Sequence, residues 1–186
     1  VMNLSTNVVD KAKLIKSNIR DIPDFPKPGI IFKDITTLIS NPESFKAVID
    51  LFEERFASQK IDFIAVPESR GFIFGAPLCQ RIQAGLTLIR KPGKLPAKSI
   101  KASYELEYGT DTLAIHEDAF AGVANANVLI IDDLLATGGS CSAAIELVRN
   151  AGGNIAGCGF VIELDFLEGR KKIEALGAEV YSIVHY

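Results

Sequence analysis

Residues 128–140 read Val-Leu-Ile-Ile-Asp-Asp-Leu-Leu-Ala-Thr-Gly-Gly-Ser, an apolar β-branched run that ends in two acids and a turn of small residues. Each residue type there has a chemical use. Gly138 and Gly139 let backbone N–H groups approach a ligand closely, and Thr137 and Ser140 add hydroxyl donors. A helix opening at this point would add unsatisfied amides and its positive dipole end, so the stretch Ala136–Ser140 fits a phosphate monoester. The dipole supplies only ~0.3–2 kcal/mol. Most of the affinity must then come from converging charged hydrogen bonds at about 1.5–3 kcal/mol each. Asp132 and Asp133 would repel the phosphate unless they face hydroxyl donors or positive charge. A ribose cis-diol, or a sugar carbon gaining oxocarbenium character during substitution, meets that demand. The same fragment also reads as two acids capping a loop that the glycines merely turn. Neither GxxxxGK[ST] nor GxGxxG occurs in the chain, which excludes the two commonest alternative phosphate loops.

Other constellations could serve the same site. Arg70 follows the apolar run Ile61–Val66 and precedes a helical pattern opened by Gly71, where a planar guanidinium and backbone amides can grip a diphosphate; a surface salt bridge is the plainer alternative. Among Arg90, Lys91, Lys94, Lys98 and Lys101, most belong to a solvated loop. Lys91 differs because it directly follows the run Leu86–Ile89, near the strand end where an open α/β sheet places its ligands. In an extended segment Glu105 and Glu107 would share one side and Tyr104 and Tyr108 the other, an arrangement that also suits a charged edge against aggregation. Phe32 is either core or a ring on which a base stacks. His116 and His185 have no metal-ligand companions in sequence, and Asp165, Glu168 and Arg170 read as a helix start.

These residues need a framework of strand–loop–helix units. Ile61–Val66 and Val128–Ile131 are strands, each followed by a glycine-bearing turn and a helix, the first of these covering Gly71–Ile82. Leu86–Ile89 is a shorter strand, and Ile155–Leu164, Glu168–Leu176 and Glu179–His185 form a third unit. The sum is an α/β fold with a mostly parallel sheet flanked by helices. A helix starts at Asn41 with Pro42 in its first turn, and Phe45, Val48, Ile49, Phe52 and Phe56 form a stripe suited to covering a sheet. Between Arg90 and Phe120 the pattern turns to Pro, Gly and Lys and then to alternating stretches around Gly109, a long β-hairpin-like excursion over about 90–120.

With 186 residues, 48% of them hydrophobic, the chain is expected to form a single domain, 1–186. A net charge of −3 lacks the footprint of a nucleic-acid binder. No apolar run of membrane-spanning length and no secretory signal pattern is present, so no membrane partner is expected. Cys79, Cys141 and Cys158 are an odd number with no CxxC pair, which implies a reduced, cytoplasmic setting.

The strand, paired acids and ATGGS loop resemble the 5-phosphoribosyl-1-pyrophosphate (PRPP) motif of type I phosphoribosyltransferases. Phe25-Pro26-Lys27-Pro28-Gly29-Ile30-Ile31-Phe32-Lys33-Asp34-Ile35, Glu68-Ser69-Arg70-Gly71-Phe72, Arg90-Lys91-Pro92-Gly93-Lys94-Leu95-Pro96 and Tyr104-Glu105-Leu106-Glu107-Tyr108-Gly109 narrow the resemblance to the adenine phosphoribosyltransferases, collinear from about Ile22 to Gly169. Lys33, Ser140 and Pro67 depart from the arginine, threonine and glycine common in that family.

The resemblance implies a purine-salvage enzyme that joins adenine to PRPP, giving AMP and pyrophosphate. It implies Mg²⁺ carried by the substrate rather than by direct protein ligands, a homodimer, a small N-terminal hood over about 1–35, and a flexible catalytic loop. It puts the 5′-phosphate on Ala136, Thr137, Gly138, Gly139 and Ser140, and the ribose hydroxyls on Asp132 and Asp133. Pyrophosphate would meet Ser69, Arg70 and Lys91, with Arg70 also assisting catalysis by helping the leaving group depart. Adenine would lie against Phe32, framed by the main chain of Ile31 and Lys33, with Glu107 sharing the purine proton. A cis peptide between Glu68 and Ser69 is a further expectation. The nearest rivals are the same reaction on hypoxanthine, guanine, xanthine or orotate, a non-catalytic PRPP-sensing regulator, and an α/β domain binding another phosphorylated sugar.

Overall fold

The computed structural model describes residues 4–186. Its elements run α1 (Leu4–Ser17), β1 (Arg20–Pro23), β2 (Ile31–Asp34), α2 (Thr36–Ser40), α3 (Pro42–Phe56), β3 (Phe63–Pro67), α4 (Gly71–Ile82) and β4 (Gly85–Ile89). They continue β5 (Ser99–Glu105), β6 (Thr110–His116), β7 (Asn127–Leu135), α5 (Gly139–Asn150), β8 (Asn154–Glu163), a 3₁₀ turn (Asp165–Leu167), α6 (Gly169–Ala175) and β9 (Val180–His185). The chain divides into two compact units, Val1–Arg55 and Phe56–Tyr186. Residues 1–3 of the expected N-terminal hood lie outside the described residues.

In the first unit, β1 and β2 form an antiparallel ribbon in which Arg20 pairs with Asp34 and Pro23 with Ile31. The connection includes a cis Phe25–Pro26 bond and Gly29 at φ +87. Asp34 closes the ribbon: its Oδ2 accepts Arg20 Nη2 at 2.6 Å and the Thr36 hydroxyl at 2.7 Å, while Oδ1 accepts the Thr36 amide at 2.9 Å. Those bonds, the Thr36 amide first, hold the Asp34 carboxyl below its ordinary range. Asn41 caps α3, its Oδ1 accepting the Glu43 amide at 2.9 Å, and Val48, Ile49 and Phe52 of the expected stripe are buried. The helix α1 had no counterpart in the sequence reading.

In the second unit a five-stranded sheet has the order β4-β3-β7-β8-β9, parallel at every pairing. The expected strands are present, with one informative difference. The apolar run Val128–Ile131 predicts a strand ending before the acids, yet β7 continues through Asp132 and Asp133 to Leu135. Pairing carries it there, since Asp132 opposes Phe160, Leu134 opposes Ile162 and Leu135 opposes Glu163 on β8. Helix α4 covers Gly71–Ile82 as expected, and it lies so close to β3 that a Cβ at Gly75 would overlap Val66. A core of Ile130, Leu147, Val148, Cys158, Phe160 and Ile173, among others, joins α5 and α6 to the sheet.

The far end of the sheet is fastened by an ion pair between a buried carboxylate and a partly exposed arginine. Glu163 on β8 accepts Arg170 Nη2 at 2.8 Å, Arg170 Nε at 3.1 Å and the Ser182 hydroxyl at 2.7 Å. Arg170 Nη1 also donates to the Val180 carbonyl at 2.9 Å, so one side chain of α6 ties β8 to β9.

The expected excursion is the antiparallel hairpin β5–β6, in register from Ser99↔His116 to Glu105↔Thr110. Alternation stops at Glu105. Residues 106–109 form the turn, with the Leu106 amide donating to the Gly109 carbonyl and Gly109 at φ +95, so Glu107 lies in a bend rather than on a strand face. All three cysteines are buried and free, and burial pushes the Cys79 thiol up to about 11. Among the described residues, no helix is long and apolar enough to cross a membrane.

Candidate active site

The carboxyl ends of β3, β4 and β7 open onto a cleft of about 450 Å³, the location that a parallel sheet with adjoining loops favours for ligands. Its lining brings together Ser69, Arg70, Lys91, Asp132, Asp133 and the loop Ala136–Ser140, residues named from three separate stretches of sequence. Glu68, Tyr104 and Leu113 also line it.

Local chemistry explains the shape of the loop Ala136–Ser140. Leu135 ends β7, and α5 starts at Gly139 with Gly138 before it in the left-handed region at φ +86. That conformation favours glycine, and a Cβ at position 138 would also stand 3.0 Å from the Gly169 carbonyl. Behind the loop, a Cβ on Gly169 would overlap the Ala136 carbonyl, so the loop rests on the start of α6. The first amides of α5 have no intrahelical acceptor and are available to an anion in the cleft.

Asp132 and Asp133 project from the end of a central strand into a site of mixed charge. Asp133 is 6% exposed and accepts Arg70 Nε at 2.5 Å. Asp132 Oδ1 accepts the Asp133 amide at 2.8 Å. Desolvation first, then the neighbouring charge of Asp133, raises the Asp132 carboxyl well above its ordinary range, with Arg70 opposing the shift. Arg70 enters α4 directly after Ser69, and the peptide between Glu68 and Ser69 is cis, as expected.

Lys91 is fixed at both ends. Its amide donates to Glu68 Oε1 at 2.5 Å, and its ammonium pairs with Asp111 Oδ2 at 2.5 Å. Asp111 Oδ2 also accepts the Tyr104 hydroxyl at 3.1 Å. The Tyr104 ring in turn lies over the loop Ala136–Ser140, where a Cβ on Gly139 would come within 2.8 Å of it. Sequence reasoning gave Glu68, Tyr104 and Asp111 no role. Cross-strand register pairs Tyr104 with Asp111, and a register argument from the hairpin turn could have found that pair, though not Glu68.

The other expected site residues belong to the hairpin turn and to the first unit. Glu107 occupies the exposed hairpin turn and does not line the cleft. Ile31, Phe32 and Lys33 are consecutive on β2 in the first unit. There the Phe32 ring meets Phe25 edge-on with centroids 5.2 Å apart, Lys33 Nζ donates to Asp21 at 2.7 Å, and Ile31 is 58% exposed. Another cluster of carboxylate and imidazole groups, Glu163, Asp165 and His185, lies outside the cleft lining, and Arg170 already occupies the buried Glu163.

Known proteins resemble this chain along most of its length. Residues 34–184 match the family model described as a phosphoribosyl transferase domain. An adenine phosphoribosyltransferase of Chloroflexus aurantiacus is 54% identical over 172 residues, covering 92% of this chain and 97% of that protein. One from Maridesulfovibrio salexigens is 53% identical over 162 residues, covering 87% and 94%. The crystal structure of adenine phosphoribosyltransferase from Thermoanaerobacter pseudethanolicus superimposes with a TM-score of 0.88 at 47% identity, covering 94% of this chain and 99% of that one. The Saccharomyces cerevisiae enzyme, complexed with an imino-altritol bisphosphate and adenine, gives 0.86 at 43% identity, with 94% and 99% covered.

Proposed function

This chain belongs to the phosphoribosyl transferase domain family, and from that premise we propose that it transfers the 5-phosphoribosyl group of PRPP to adenine, giving AMP and pyrophosphate in purine salvage. The observation that carries the reading is the shared cleft, in which a phosphate loop, two strand-borne carboxylates and two cations meet.

In this reading the 5′-phosphate rests on the amides and hydroxyls of Ala136–Ser140, and Asp132 and Asp133 receive the ribose hydroxyls. Substitution at C1′ passes through a state with little bonding to either partner, so positioning and electrostatics dominate. The two carboxylates then stabilise positive charge on the sugar. Arg70 exchanges Asp133 for the pyrophosphate, which Ser69 and Lys91 also meet, and so assists its departure. Phe32 takes the purine face, framed by the main chain of Ile31 and Lys33, and Glu107 shares the purine proton once the hairpin turn folds in and excludes water.

Phosphoribosyltransferases generally use Mg²⁺ with PRPP, where it screens the pyrophosphate charge. The residues fit a cation carried by substrate oxygens: Asp132 and Asp133 can meet the ribose hydroxyls beside it. A homodimer is the assembly we favour, supported by the exposed Leu86 and Leu88 on the edge strand β4. The buried free thiols support a cytoplasmic setting.

The test is pyrophosphate release from PRPP and Mg²⁺ with adenine, hypoxanthine, guanine or no base. Adenine-dependent turnover is expected. Turnover with another base keeps the mechanism and moves the specificity, whereas saturable PRPP binding without turnover points to a sensor.

A further inference from the structure

Three side chains from three strands or their ends meet at one carboxylate oxygen beside the cleft. Asp111 on β6 receives, on Oδ2, both the Lys91 ammonium at 2.5 Å and the Tyr104 hydroxyl at 3.1 Å. Its other oxygen accepts the Thr112 amide at 2.9 Å, which fixes the carboxylate plane. Lys91 and Tyr104 line the cleft and Asp111 does not. Asp111 therefore acts on a ligand only through its two partners.

Those partners adjoin different parts of the cleft lining. Lys91 follows β4, with its amide on Glu68 next to the cis peptide that presents Ser69 and Arg70. Tyr104 lies over Gly139, the loop residue at which α5 begins. Burial, then the bond to Asp111, pushes the Tyr104 phenol up to about 12, so at neutral pH it is the donor. The Lys91 bond first, then the Thr112 amide, holds Asp111 below its ordinary range, so it is the acceptor.

We infer that Asp111 is a positioning residue for PRPP: it holds Lys91 where the pyrophosphate lies and Tyr104 against the 5′-phosphate loop, joining two parts of the substrate site through one hairpin residue. The inference rests on the proposed reaction. Interactions made equally in ground and transition states appear in KM rather than kcat.

Initial rates with PRPP, adenine and Mg²⁺ test it in wild type, Asp111→Ala, Asp111→Asn, Lys91→Met and Tyr104→Phe. Asp111→Ala is expected to raise the KM for PRPP about tenfold, with kcat within about threefold and the KM for adenine unchanged. Asp111→Asn, which keeps an acceptor for Tyr104 but loses the charge facing Lys91, should fall between. Combining Asp111→Ala with Lys91→Met should give less than the product of the single effects, because Asp111 acts through Lys91. An unchanged or lowered KM for PRPP in Asp111→Ala, or strictly multiplicative effects in the double variant, would overturn the inference. If Asp111→Ala fails to fold, Asp111→Asn and Tyr104→Phe carry the same KM test. If wild type turns over no base, the proposed function fails separately. Calorimetric binding of pyrophosphate with Mg²⁺, expected to weaken about tenfold in Asp111→Ala, then decides the role of Asp111 alone.

Discussion

Arg70 donates through Nε to Asp133 Oδ2 at 2.5 Å, so a principal cation of the cleft is held by a carboxylate that faces the same space. Arg70 is half exposed and Asp133 is buried, which makes the arginine the movable partner. Arg70→Ala should slow pyrophosphate release by roughly a hundredfold, the scale of losing one preorganised charge-stabilising group. The half-exposed pair limits the accompanying loss of stability to about 1 kcal/mol. Steady-state rates and a thermal melt read the two effects independently.

Asp132→Asn should raise the melting temperature while raising the KM for PRPP. Desolvation and Asp133 lift the folded-state pKa of Asp132 above its unfolded value, so the ionised carboxylate costs stability at pH values above that unfolded pKa. The amide removes that cost and still accepts the Asp133 N–H. A melt at pH 7 that fell would contradict this account.

Gly139→Ala places a methyl 2.8 Å from the Tyr104 ring. The hydroxyl of that ring is tethered to Asp111, so the ring has little freedom to retreat. A cost of about 1–3 kcal/mol is expected from the overpacking. Weaker PRPP binding should accompany it, and adding Tyr104→Ala should recover the stability part.

Removing the guanidinium of Arg170 strands a buried carboxylate. In Arg170→Met, Glu163 keeps the Ser182 hydroxyl but loses both guanidinium bonds, and unfolding by urea should become easier by about 2 kcal/mol. Glu163→Gln in the same background should restore part of it, because the uncompensated charge is then gone.

Asp34 gives an acid dependence of definite sign. Its folded pKa lies below its unfolded value, so its contribution is complete above the unfolded pKa and is lost as pH falls from there through the folded pKa. Wild type should therefore lose stability below about pH 4, and Asp34→Asn should flatten that limb while lowering the neutral plateau. Chemical denaturation at pH 7, 4 and 3 checks both.

How much of this was legible in sequence depended on how local the meaning of each residue was. The loop Ala136–Ser140 announced itself because its glycines, hydroxyls and flanking elements are contiguous. Arg70 and Lys91 were found because each follows an apolar run, and strand ends in a parallel sheet converge. Asp111 could not be found that way, since its partners are 20 and 7 residues away, and the hairpin register brings in Tyr104 while the Arg90–Ala114 bridge brings in Lys91. Glu107 was set on a strand face because alternation was extended past Glu105, where the turn interrupts it. The end of β7 was placed too early for a related reason. Acids usually mark a strand's end, but here pairing with β8 continues through them.

The burial of all three cysteines has a practical meaning for labelling chemistry. Maleimide reagents should find a silent background in the folded protein, while Tyr108, 84% exposed in the hairpin turn, offers an accessible attachment point. A Tyr108→Cys variant would carry a single fluorophore without first removing native thiols. Its emission would then track, in real time, how the hairpin answers each substrate.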